Sequence, residues 1–235
     1  MLKKSIIGMI NAFGYHVSRN DLYQICKALN SFNVDVVLDV GANAGQFSLS
    51  LRRFGYRGKI VSYEPLNEAY EKLIKISKTD KKWEVSPRVA VGAYDGKIEI
   101  NIAGNSVSSS ILPMLKSHSD VAVGSEYIGK ESVNIVRLDT VAKKYLQDYK
   151  NIFLKIDTQG YEWAVLDGAV EILPHVRGIL CEMSLLELYE GQHLWMDILK
   201  RLETDGFIPW SIHEGFTDSK SGRTLQIDAT FFRMK

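Results

Sequence analysis

Short apolar runs alternate along the chain with segments whose apolar residues recur every three or four positions, and the two periods mark strands and helices. Residues 34–40, VDVVLDV, predict a buried strand, and 44–55, AGQFSLSLRRFG, a helix with Phe47, Leu51 and Phe54 inward. KIVSYEP (59–65) predicts a second strand, and NEAYEKLIKIS (67–77) a second helix capped by Asn67. WEVSPRVAV (83–91) predicts a third strand. YDGKIEINIAG (94–104) opens on a D-G turn and alternates at Ile98, Ile100 and Ile102, which predicts an added antiparallel strand.

Beyond a long irregular stretch, SVNIVRLD (132–139) predicts a strand, TVAKKYLQDY (140–149) a helix and NIFLKID (151–157) a central strand. YEWAVLDGAVEIL (161–173) supplies a helix, VRGILCEMS (176–184) a strand, and HLWMDILKRLETDG (193–206) a helix aligning Leu194, Ile198 and Leu202 and stopped by Gly206. FIPWSIHE (207–214) and RTLQIDATFFRM (223–234) predict a terminal antiparallel pair. Repeated βα units build parallel sheets covered by helices on both faces. The expected fold is therefore α/β and Rossmann-like, with a mostly parallel seven-stranded sheet, an antiparallel terminal strand and an inserted strand and loop segment.

Residues 34–235 are expected to form one domain, preceded by a helical extension over 1–33 on which Ile6, Ile7, Met9, Ile10 and Phe13 share one face. That face predicts packing over the domain or a partner subunit, with a homodimer one form of it. Peripheral membrane contact through 1–14, or a lid role, stays open. Residues 104–130 are serine-rich, and a loop that long in a compact domain predicts a substrate-side lid.

Composition adds exclusions. Lys and Arg number 29 against 28 Asp and Glu, so no positive excess exists to neutralise a nucleic-acid backbone. Cys26 and Cys181 lie far apart, Cys181 within the apolar RGILCEM, which predicts reduced thiols and a cytoplasmic setting. The opening MLKKSIIGMINAFGYHVS is interrupted by Gly8, Asn11 and Gly14, so neither a signal peptide nor a membrane span is predicted.

In an open parallel sheet, ligands bind beyond the carboxyl ends of the strands. The unusual residues fall at such ends: Asp39 and the GANAG loop, Glu64-Pro65, Asp157, Glu182 and His213. Gly41 and Gly45 are expected to let the backbone approach a nucleoside, and Glu64 to accept ribose hydroxyls. The spacing G-x-x-x-G disfavours a dinucleotide-binding oxidoreductase. Asp39 disfavours a pyrophosphate and suits a cationic ligand such as S-adenosylmethionine.

On these residues the chain resembles the class I S-adenosylmethionine-dependent methyltransferases, and within them the FkbM family. The resemblance rests on VVLDVGANAGQFSLSL, YEP at 63–65, VAVGAYDGKIEI, SSSIL at 108–112, RLDT at 137–140 and IFLKIDTQGYEWAVLDGA, with ILCE downstream. It implies that Asp39, Gly41, Ala42, Asn43, Gly45, Gln46 and Phe47 surround the methionine part of the cofactor. Glu64 and Pro65 would then hold the ribose, and Val89 and Ala90 lie near the adenine. The family often has V-E-G where this chain has Thr158-Gln159-Gly160, so position 159 receives no catalytic assignment.

The resemblance also implies an O-methyltransferase acting on a sugar hydroxyl in a glycan, glycolipid or secondary metabolite, leaving S-adenosylhomocysteine. Asp157 is the first candidate for base or acceptor orientation, Lys155 shares its strand face and pairs with Asp157 or Glu182, and Glu182 and His213 complete the acceptor pocket. A structural ion pair between Lys155 and Asp157 stays open. A divalent cation among Asp157, Glu182, His213 and Asp228 has no ligand-spacing signature and is not favoured. From another class, a scaffold that binds the cofactor without catalysis would keep Asp39, Gly41 and Glu64 functional yet tolerate loss of Asp157.

Overall fold

The computed structural model describes residues 21–234, so the apolar face of 6–13 and the proposed contact through 1–14 lie outside the described residues. In chain order the elements are α1 (Asp21–Ser31), β1 (Val36–Val40), α2 (Gln46–Arg53), β2 (Lys59–Tyr63), α3 (Asn67–Ser77), β3 (Trp83–Val85), β4 (Ala90–Gly92) and β5 (Gly96–Ala103). Then follow α4 (Lys116–Ser119), β6 (Tyr127–Arg137), α5 (Leu138–Ala142), β7 (Ile152–Ile156), α6 (Glu162–Asp167), β8 (Val176–Ser184), α7 (Trp195–Thr204), β9 (Ile208–Glu214) and β10 (Gln226–Phe232).

The main sheet has seven strands in the order β3-β2-β1-β7-β8-β10-β9. Strands β3, β2, β1, β7 and β8 are parallel, while β10 runs antiparallel between β8 and β9. All five positions of β1 and of β7 are buried, as in strands covered on both faces, and the one charged residue in each, Asp39 and Lys155, stands opposite the other in the register. Alternate residues divide between two layers. Val36, Leu38, Leu154, Ile156 and Ile179 pack on one side with Val165 and Ile198, while Val37, Phe153 and Leu180 pack on the other with Ile25 and Leu29 of α1. The free cysteines Cys26 and Cys181 are buried in these layers, as small hydrophobes would be.

The chain leaves β1 toward β2 and β3 and returns on the other side through β7 and β8, so the strand order reverses between β1 and β7. That reversal opens a crevice above their carboxyl ends.

Several predicted elements differ in extent. The strand expected over 83–91 is two strands: β3 ends the main sheet, Pro87 offers no ladder N–H, and β4 pairs with β6 instead. The expected antiparallel strand β5 pairs with β6, so β4, β6 and β5 form a separate three-stranded sheet. The 140–149 helix begins earlier, at Leu138, and tightens into a 3-10 turn over Lys143–Leu146. The 161–173 helix ends at Asp167. Asn67 is the first helical residue of α3 and makes no side-chain cap; Leu66 precedes it in extended conformation. Within 104–130, α4 forms and β6 already begins at Tyr127. Among the described residues no helix is long and apolar enough to cross a membrane.

Candidate active site

The loop after β1 turns through Gly41 at φ +75, Asn43 at +46 and Gly45 at +89. Gly41 and Ala42 both donate their N–H groups to the Tyr63 carbonyl at 3.1 Å, which bends the chain over the end of β2. The glycines have a packing reason beside the one expected. A Cβ on Gly41 would lie 1.8 Å from the Asp157 carbonyl oxygen, and one on Gly45 would press on Trp83 and Leu73 at 2.9 to 3.0 Å. Both side-chain directions face protein. The loop is thin enough to pack against Asp157 at the end of β7 and Leu73 of α3.

Glu64, at the end of β2, is buried, and its two carboxylate oxygens accept the Asn43 and Leu66 N–H groups, each at 2.8 Å. Burial pushes its pKa up to about 7 against the lowering effect of those bonds.

Lys155, on β7, is buried and donates to the Gly41 carbonyl at 2.7 Å. Its ammonium lies 3.4 Å from Asp39 and 3.3 Å from Asp157. Burial opposes its charge, but the Asp157 and Asp39 carboxylates outweigh that effect and hold its pKa above the ordinary lysine range. Lys155 therefore serves as a fixed cation and not as a proton acceptor. Of the two partners expected for it, only Asp157 is found; Asp39 replaces Glu182.

Asp39 departs from its expected role. It is fully buried, accepts the Ser48 hydroxyl at 2.8 Å and the Ser62 hydroxyl at 3.3 Å, and lines neither of the cavities described below. Its charge is spent on Lys155, so it supports the loop from beneath.

After β7, Glu162 accepts the N–H groups of Thr158 at 2.9 Å and Gly160 at 3.1 Å, which folds this turn tightly. Asp157 then projects over the crevice with its side chain 38% exposed, enough to meet a ligand. Gln159 donates to Asp157 Oδ1 at 3.1 Å and also to Glu182 Oε2, and Gln226 donates to the same Glu182 oxygen at 2.9 Å. Burial, then Asp157 and Asp228, hold the Glu182 pKa well above the usual carboxylate range.

A cavity of about 450 Å³ runs across this edge, within the usual range for small-molecule sites. Glu64, Pro65, Val89, Ala90 and Ile100 line it at the β2 end, where Leu66, Ala90 and Ile100 pack together. Glu182, Gln159, Gln226, His118 and Phe216 line it at the β8 end, three strand spacings or roughly 14 Å away. The serine-rich Ser106–Ser110 segment also lines it, as a lid would. A second cavity of about 470 Å³ shares Gly41, Asn43, Val107 and Asp157 with the first and adds, among others, Ala42, Gln46, Phe47, Lys155, His213 and Asp228.

The four expected catalytic residues are thus divided. Glu182 lines the first cavity, Lys155 and His213 the second, and Asp157 both. His213 does not join Glu182; its Nδ1 lies 3.0 Å from Asp21 of α1. Gly45 lines neither cavity. Among the described residues no three His, Cys, Asp or Glu side chains gather as a metal site. Sequence reasoning did not single out Gln226, Tyr189 or His118, and it left Gln159 without a catalytic assignment. Gln226 had a usable signal, because an antiparallel strand starts on the edge where its parallel neighbours end.

A Rossmann-like sheet with this strand order, a bent glycine loop after β1 and an acid ending β2 define a class I S-adenosylmethionine-dependent methyltransferase. The chain matches the family model described as the methyltransferase FkbM domain over residues 39–209, and it belongs to that family. No curated protein sequence matches it. Among solved structures, an rRNA methylase from Streptococcus thermophilus is 8% identical with a TM-score of 0.51, covering 93% of this chain and 99% of that one. Magnesium protoporphyrin IX methyltransferase from Synechocystis PCC 6803, solved with bound S-adenosylmethionine, is 10% identical with a TM-score of 0.46, covering 99% and 97%. At these identities the likeness concerns the fold.

Proposed function

We propose that the protein is an O-methyltransferase that methylates a sugar hydroxyl in a glycan, glycolipid or secondary metabolite. One observation carries this reading. At the β8 end of the first cavity the polar lining is mainly carboxylate and amide, from Asp157, Glu182, Gln159 and Gln226, with the His118 imidazole beside them, groups that pair with hydroxyls. The near-balanced charge of the chain argues against a polyanionic acceptor.

The cavity fits the cofactor. Glu64 offers a buried carboxylate to the ribose hydroxyls, Val89, Ala90 and Ile100 give apolar walls for the base, and Gly41, Ala42, Asn43, Gln46 and Phe47 lead toward the methionine end. When bound, S-adenosylmethionine supplies a methyl group already activated by its sulfonium. What the chain must add is position and the removal of one proton. Asp157, shared by both cavities, accepts that proton from the acceptor hydroxyl, and Lys155 fixes its carboxylate in place. The two buried thiols accord with a reducing, cytoplasmic setting.

Free, nucleotide-linked and lipid-linked sugars, with RNA alongside, are to be incubated with methyl-labelled cofactor and the products read by mass spectrometry. A sugar methyl ether is expected. Label found only in RNA, or only on nitrogen, would overturn the assignment.

Cofactor affinity should also depend on pH. Free Glu64 keeps its proton up to about pH 7, whereas donating ribose hydroxyls favour the ionised form and lower its pKa in the complex. Affinity is then expected to rise as pH increases toward 7 and to level off above it. Glu64→Ala should weaken binding by about 1–3 kcal/mol and abolish the slope, as read by calorimetry from pH 5.5 to 8.5. An unchanged affinity and slope would remove Glu64 from the site.

A further inference from the structure

Gln159 is bonded through its side chain and its backbone at once. Its amide nitrogen donates to Asp157 Oδ1 at 3.1 Å and to Glu182 Oε2, so one NH₂ group serves two carboxylates. Its amide oxygen lies 2.9 Å from the Tyr189 hydroxyl, which is also 3.1 Å from the Ser108 carbonyl. Its main-chain oxygen accepts the Ser110 hydroxyl at 2.6 Å. The amide has one sensible orientation, because turning it over would point its oxygen at both carboxylates and its nitrogen away from them.

The backbone at Gln159 is left-handed, at φ +54. A residue with a Cβ pays roughly 1–2 kcal/mol for that conformation, so the surrounding bonds must hold it there. Those bonds reach three separate parts of the chain. They run to β7's end through Asp157, to the β8 region through Glu182 and Tyr189, and to the serine-rich segment over the cavity through Ser110.

We propose that Gln159 is a positioning residue that couples Asp157 to Glu182 and ties both to the serine-rich loop, so that the two carboxylates meet the acceptor with the loop in place. The acceptor half of this statement rests on the O-methyltransferase reading; the coupling of the carboxylates does not. The family often carries a carboxylate at this position, and in this chain, beside Asp157 and Glu182, a carboxylate would make different bonds. It would put a third acceptor where both neighbours need donors, and the cluster would hold protons to higher pH.

Gln159→Glu keeps the shape and reverses the chemistry, so it tests the coupling with little change in packing. The acid limb of its kcat–pH profile is expected to move up by about a unit, so that kcat falls up to about tenfold on that limb and recovers as pH rises. A residue that merely supported the fold would lower kcat equally at every pH. A profile with the wild-type midpoint would overturn the coupling.

Carbon-13 carboxyl NMR decides the same point without any acceptor. The Glu182 resonance, assigned with Glu182→Gln, should titrate at higher pH in Gln159→Glu than in the parent. If no sugar is methylated yet this shift occurs, the acceptor class is wrong and the coupling stands; an unmoved titration sinks the coupling whatever the acceptor. Ser110→Ala should raise the acceptor KM about fivefold with the Glu182 titration unmoved. An unchanged KM would remove the loop from the proposal.

Discussion

Asp157→Asn is expected to cut methyl transfer by about 10²–10⁴ in kcat while cofactor affinity changes less than about threefold. The substitution keeps the shape of the side chain and removes its capacity to take a proton. It also upsets the neighbours in a definable way. Asp157 now faces a donor on each side, the Lys155 ammonium at 3.3 Å and the Gln159 amide at 3.1 Å. An asparagine has one oxygen to offer, so turning it to Lys155 sets its NH₂ against that of Gln159. Either Gln159 turns and loses Glu182, or one donor is left without an acceptor. The polar groups of Glu64 keep their bonds, since these come from Asn43 and Leu66. The variant should therefore bind cofactor, which calorimetry checks, and fail in single-turnover transfer of labelled methyl. Wild-type turnover in Asp157→Asn would end the proposal that Asp157 is the base, and cofactor binding without measurable transfer in the parent would favour the scaffold reading.

Much of the fold was legible because the central strands β1, β2, β7 and β8 are mostly buried and so read as predominantly apolar runs. The expected ranges for β1, β2 and β8 match within two residues, and each chemistry-bearing strand end was visible as a polar residue closing an apolar run. The three-stranded sheet was not legible. WEVSPRVAV has the composition of one strand, and only tertiary pairing with β6 decides that it bends at Pro87 and changes sheet. The glycine loop stood out in the sequence, but its packing constraint did not. Distance along the chain carries no hint that the Gly41 Cα rests on the Asp157 carbonyl, 116 residues away in sequence. Gln159 was obscured for the same reason. Its importance lies in a left-handed backbone and in partners from β7, the segment after β8 and the serine-rich loop, none of which a local pattern encodes.

Lys155→Met should be the most destabilising of the substitutions considered, by about 3–5 kcal/mol, the cost of leaving a buried charge without its partner. Asp39 is fully buried, and with Lys155 gone it retains only the Ser48 and Ser62 hydroxyls. The Gly41 carbonyl loses its 2.7 Å donor as well. Methionine fills most of the volume of the lysine stem, so the loss reports charge more than a void. The double variant Asp39→Asn/Lys155→Met separates the two. Removing both charges should recover more than half of the lost stability, measured by urea unfolding as a shift in midpoint at constant slope. A double variant as unstable as Lys155→Met alone would place the cost in packing. Recovery of stability without recovery of methyl transfer is the expected outcome, because the same ammonium that neutralises Asp39 beneath the loop also holds Asp157 above it, and only the first of these tasks disappears when Asp39 is neutral.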